Sequence, residues 1–194
     1  MSTTELFTQI RELNVRALAR ALTLHPDAHV EPTFYTDDGD IAVDGPFDLP
    51  CRMDLIPVVD DEAGESVMVT PPTALSFDPL TVTLAGGVEF IVSPFGWDQA
   101  AFTVSLPVGS SLEPLLQWFW HWFDEADDND PGPDGLYGVA HYLSDPEFAG
   151  GKLAFEVDFG SAPVEALDDL VAVLVEMGAT RIEVAMPTEE PDDN

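Results

Sequence analysis

Thirty-seven Asp and Glu residues oppose six Lys and Arg in this 194-residue chain, a formal charge of −31 that any fold must spread out. A chain of this size exposes roughly 9,000 Å² when folded, or about one net negative charge per 300 Å². The mean spacing then exceeds the ~8 Å Debye length at physiological salt, so a compact state can carry the charge. Such a surface repels nucleic acid and anionic membranes and attracts cationic partners. The expected partner is therefore a basic protein, with no nucleic acid and no membrane.

Hydrophobic residues make up 45% of the chain and aromatics 10%, far too much for an acidic disordered protein. A sizeable core is expected. Cys51 is the sole cysteine, which rules out an internal disulfide and a tetrathiolate metal site within one chain. A reducing cytoplasm is the expected location. No stretch approaches the ~20 apolar residues that span a bilayer, and the first residues lack the apolar core of a signal peptide. Three explanations of the acidity stand side by side. One is salt adaptation of a whole proteome, since Lys152 is the sole lysine and Asp outnumbers Glu. The second is an acidic face that docks a basic protein, and the third is solubility alone.

Ser2 and Glu5 read as a capping box, each side chain serving an otherwise unpaired N–H. Leu6, Phe7, Ile10, Leu13, Ala17, Leu18, Ala21 and Leu22 then recur at helical spacing until Pro26 stops the helix. Glu12 is placed to pair with Arg16 one turn on. From 33 to 106 the pattern turns β-like, and Gly86-Gly87 between two apolar runs predicts a hairpin. Ser110 or Ser111 can cap a helix running to about residue 126, and Leu136, Tyr137, Val139 and Tyr142 suggest a strand. Leu153, Phe155, Val157 and Phe159 alternate cleanly. Ser161 is expected to cap a last helix with Pro163 in its first turn, Leu167, Leu170 and Leu174 in its buried stripe, and Gly178 after its end. A final strand follows from Arg181.

The expected class is α+β, with antiparallel sheet and helices on one face. Residues 107–186, with the strand before them, have the order β-α-β-β-α-β, the split βαβ pattern of ferredoxin-like folds. Residues 1–106 form a helix and a strand meander sharing the core, and 187–194 an acidic disordered tail. This element order resembles that of the acidic secretion chaperones and related small α+β proteins. The resemblance covers most of the chain and rests on element order. It implies a cytosolic protein, often dimeric, that binds protein segments, and it carries no site residue across.

Leu112, Leu115, Leu116, Phe119 and Phe123 share one helical face, with Trp120 on one flank and Trp118 and Trp122 on the other. The apolar arc is wider than the ~100° one core face needs. Alternate helical positions lie ~200° apart, so Trp118 or Trp120 is expected to be partly exposed, or covered by another subunit or by the N-terminal lobe. Asp124, Glu125, Asp127, Asp128 and Asp130 follow at once. With a frame starting at Asp127 or Asp128, the twelfth position of a calcium loop falls on Gly138 or Val139, so the required glutamate is absent. Trp118, Trp120, Trp122, Asp124, Glu125, Asp127, Asp128 and Asp130 are thus the candidate partner-binding residues.

His25 and His29 have the spacing of paired metal ligands, but Pro26 between them breaks the helix such a pair requires. His121 and His141 have no visible nucleophile or orienting partner. Ser161 lies outside the Gly-x-Ser-x-Gly pattern of hydrolase elbows. Glu156 and Asp158 alternate with apolar strand residues, as on the wet face of a one-sided sheet. No catalytic residue, metal or cofactor is assigned. The leading expectation is a non-enzymatic acidic protein-binding module, such as an immunity or inhibitor protein for a basic partner, or a chaperone. The alternatives are a small hydrolase or ligand-binding protein using clustered carboxylates, and a halophile housekeeping protein. A homodimer is also possible.

Overall fold

The computed structural model describes residues 2–36, 38, 40–60 and 62–188. The tail expected over 187–194 lies, from residue 189, outside the described residues.

Helix α1 (Thr3–Leu24) starts as its capping box dictates: the Glu5 N–H donates to Ser2 Oγ at 3.2 Å and the Ser2 N–H to Glu5 Oε2 at 2.7 Å. Arg16 pairs with Glu12 on its outer face. Its inner face buries Leu6, Phe7, Ile10 and Leu18, together with Asn14. Among the described residues, six two-residue strands follow: β1 (His29–Val30), β2 (Val43–Asp44), β3 (Leu49–Pro50), β4 (Leu55–Ile56), β5 (Val58–Val59) and β6 (Glu62–Ala63). They form three antiparallel ladders, β1 with β4, β2 with β3 and β5 with β6.

The remaining strands build one sheet. They are β7 (Leu80–Thr83), β8 (Glu89–Val92), β9 (Ala100–Ser105), β10 (Tyr142–Leu143), β11 (Glu147–Ala149), β12 (Lys152–Asp158) and β13 (Arg181–Ala185). Their order is β10-β12-β9-β13-β8-β7, with β11 beside the start of β12. All pairs are antiparallel except β8 with β13. The expected hairpin joins β7 to β8, and Gly86 and Gly87 supply its positive φ values of 76° and 81°.

Side chains on one face of the sheet are buried and those on the other are wet, which follows from the period-2 pattern. Phe90, Val92, Ala100, Phe102, Val104, Leu153, Phe155, Val157, Ile182 and Val184 all point into the core. Phe102 and Phe155 stack across β9 and β12 with centroids 5.1 Å apart. Helix α2 (Glu113–Phe123) and helix α3 (Val164–Glu176) join α1 on that face. Leu167, Leu170 and Leu174 are fully buried, each contributing ~1.5–3 kcal/mol by burial. One sheet with its helices on a single face makes the chain α+β.

Three local expectations need correction. Residues 136–140 form no strand; only Tyr142–Leu143 pairs with β12. The N–H groups of Gly138 and Val139 instead donate to Ser161 Oγ, and that of Ala140 to the Trp122 carbonyl. Ser161 consequently does not cap α3, whose N-cap is Pro163. Helix α2 stops at Phe123 because Asp124 adopts a left-handed conformation with φ 57°.

Candidate functional site

The proposed partner-binding residues separate into three environments. Trp118 is core: it is 4% exposed, its Nε1–H donates to the Ala166 carbonyl at 2.9 Å, and it meets Phe159 edge-on. Trp120 and Trp122 are half-buried on opposite flanks of α2, while His121 is exposed. Of the acids, Asp124 folds the loop, accepting the N–H groups of Asp128 and Asn129. Asp127 accepts a charged hydrogen bond from Arg52 Nη2 at 2.6 Å. Glu125, Asp128 and Asp130 are exposed.

Arg52 is the brace for this loop. It is buried, lies over the Phe123 ring at 4.7 Å, and donates to the carbonyls of Phe123, Asp124 and Glu31. Its charge thus meets the negative end of α2, satisfying carbonyls the helix leaves unpaired. A cleft of about 410 Å³ opens on the other side of the loop, lined by Arg11, Trp122, Asn129, Asp130, Asp134 and Tyr137 among others. Arg11 is committed to the core there, donating to the Ser161 and Ala162 carbonyls.

Behind Arg52 lies a second cluster. His141, 1% exposed, has Nε2 2.8 Å from Glu31 Oε1, and Nδ1 3.1 Å from Asp54 Oδ1 and 3.9 Å from Asp158 Oδ2. The approach to Asp54 is off the hydrogen-bond direction, and Nδ1 has no hydrogen-bond partner. Every carboxylate is held by backbone: Tyr137 N–H to Glu31 Oε2, Val69 N–H to Asp54 Oδ2, and Gly160 N–H to Asp158 Oδ1. The imidazole packs against Gly160, where a Cβ would lie 2.2 Å from His141 Cδ2. Glu31 is itself in the left-handed region, φ 48°, a conformation uncommon away from glycine and Asn.

Burial opposes charge on His141, but the oxygens of Asp54 and Glu31 and the charge of Asp158 outweigh it and push its pKa up to about 10. Burial raises Asp158 to about 7 against the attraction of His141, with the charges of Asp54 and Asp98 adding to the rise. Burial also opposes ionisation of Glu31, yet His141, the Ser161 side chain and the Tyr137 N–H hold its pKa below the usual value. Asp98, nearby, is raised by burial and by Asp54.

Sequence reading passed over this cluster. Asp158, expected on the wet face of β12 beside Glu156, turns in toward His141, whereas Glu156 is exposed. His25 and His29 end up at the C-cap of α1 and in β1. Among the described residues, Asp54, His141 and Asp158 are the group whose atoms converge closely enough to share an ion.

The fold and these two sites define an acidic α+β protein with an external carboxylate–aromatic face and a buried carboxylate–histidine cluster. Comparisons with protein families, curated proteins and solved structures return no match for the chain.

Proposed function

We propose that this chain is a non-enzymatic binding module for a basic protein, docked where the outer flank of α2 meets the loop from Asp124 to Asp134. The cleft between Trp122 and Asp130 carries this reading. Its indole wall offers a cation–π contact to a Lys or Arg side chain. Two carboxylates, Asp130 and Asp134, face a single guanidinium, and that one is already held by carbonyls. Glu125 and Asp128 extend the negative field that speeds encounter, and Trp120 and Trp122 are suited to act as apolar anchors. Arg52 ties the loop to the core, so little ordering entropy is lost on docking. An immunity or inhibitor protein for a basic toxin, or a chaperone for a secreted protein, has these requirements.

The test is capture of partners by the tagged full-length protein from an extract of its native organism, at low and high salt. The expected result is a basic protein retained at low salt, released at high salt, and lost with Trp122→Ala or Asp130→Asn. Retention unaffected by both substitutions, or recovery of only a second copy of this chain, contradicts the proposal.

A further inference from the structure

We propose that Asp54, His141 and Asp158 form a buried binding site for a divalent transition-metal ion of the zinc type. This inference is independent of the partner-binding reading. Three observations carry it. First, the donor atoms converge: two ligands each ~2.1 Å from one ion lie at most ~4.2 Å apart, and His141 Nδ1 is 3.1 Å from Asp54 Oδ1 and 3.9 Å from Asp158 Oδ2. All three ligand atoms fall within 4.8 Å of one another. Second, His141 Nδ1 belongs to a residue 1% exposed, faces these two oxygens, and lacks a hydrogen-bond partner. A buried ring nitrogen that faces two carboxylate oxygens with no aligned hydrogen bond to either is placed to share an ion with them. Third, charge does not balance: three carboxylates, from Glu31, Asp54 and Asp158, surround one imidazole.

The surroundings have the form of a metal centre's supporting shell. Glu31 Oε1 accepts from Nε2 at 2.8 Å, which leaves the Nδ1 lone pair for an ion in the neutral tautomer. Val69 and Gly160 each fix one oxygen of Asp54 and Asp158, so the other oxygen is aimed before any ion arrives. One nitrogen and two oxygens suit Zn²⁺ and its first-row neighbours better than Mg²⁺ or Ca²⁺, which favour all-oxygen sets. Asp158 is the least buried of the three ligands, its side chain retaining 16% exposure.

The experiment strips the full-length protein with a chelator and titrates it with Zn²⁺ alone by calorimetry, in excess Mg²⁺ to occupy exposed carboxylates. One site per chain is expected. Asp158→Asn should weaken it at least about tenfold, and Glu31→Gln, which holds the imidazole without touching the ion, about 10- to 100-fold. Asp169→Asn, on the exposed face of α3, should leave affinity unchanged. Substituting Co²⁺ in the unmutated protein should give the intense visible band of a low-coordinate nitrogen-containing site, a readout that needs no variant to fold, and Glu31→Gln should shift it. Several weak sites displaced by Mg²⁺, a weak pink octahedral Co²⁺ spectrum, or a single site indifferent to Asp158→Asn would overturn the assignment.

Discussion

Glu31 and His141 lie 110 positions apart in the chain and 2.8 Å apart in the fold. Nothing in the spacing of 37 acidic residues could single out Glu31, Asp54 and Asp158, the three that meet His141. His141 was visible as a lone histidine, but its partners reach it only through tertiary structure: Asp54 by way of the β4 ladder, Asp158 at the end of β12. The pH response of the metal-free protein follows from these groups. His141, raised from 6.5 to about 10, contributes stability that is complete below pH 6.5 and lost as pH climbs through 10. Asp158, raised from 3.8 to about 7, acts in the same direction: the folded state holds its proton more tightly, so stability falls between these values. Glu31, lowered from 4.5, contributes stability present above that value and lost as pH falls below it. Denaturant unfolding in chelator at about pH 5, 7 and 9 should therefore show a steady decline. A rise from the first to the last would contradict this account of the cluster. Gly160→Ala should cost more than ~2 kcal/mol, since the added methyl meets the His141 ring and φ is positive. Urea denaturation measures it, and a neutral result would mean the ring can move aside.

At the scale of elements, alternation and capping carried most of the architecture. The Ser2–Glu5 box, the Gly86-Gly87 hairpin, the buried stripe of α3 and the alternation along β12 all encode their structure within a few residues of themselves. Residues 137–141 do not, because their N–H groups are satisfied by Glu31, Ser161, Trp122 and Asp158, partners contributed by distant segments. The same distance hid the role of Ser161, whose hydroxyl looked local. Helix α2 shows how a wide apolar arc is used. Trp118 and Phe119 go into the core, while Trp120 and Trp122 are left at its edges. Phe119→Ala should accordingly cost ~3–5 kcal/mol, whereas Trp120→Ala should cost less, reading out as a smaller fall in melting temperature. Equal losses would place Trp120 in the core and remove it from the docking face.

For the molecule as a whole, the formal charge is −31, and among the described residues most acidic side chains lie on the wet face of the sheet, the outer helix faces and the loops. If that charge is salt adaptation, the melting temperature should rise steeply towards molar KCl as screening relieves repulsion. A surface built for a basic partner leaves the chain well folded at about 0.15 M salt, which is the result predicted here. Collapse of the melting temperature at low salt would favour the halophilic reading. The docking claim itself is tested most directly by the affinity of the captured partner, measured from about 0.05 to 0.5 M KCl for the unmodified protein and for Asp128→Asn/Asp130→Asn. The account predicts at least about tenfold weaker binding by the variant at low salt, mostly through a slower association rate, with the two curves converging as salt rises. Parallel curves, with the variant binding as tightly as the unmodified protein throughout, would contradict it.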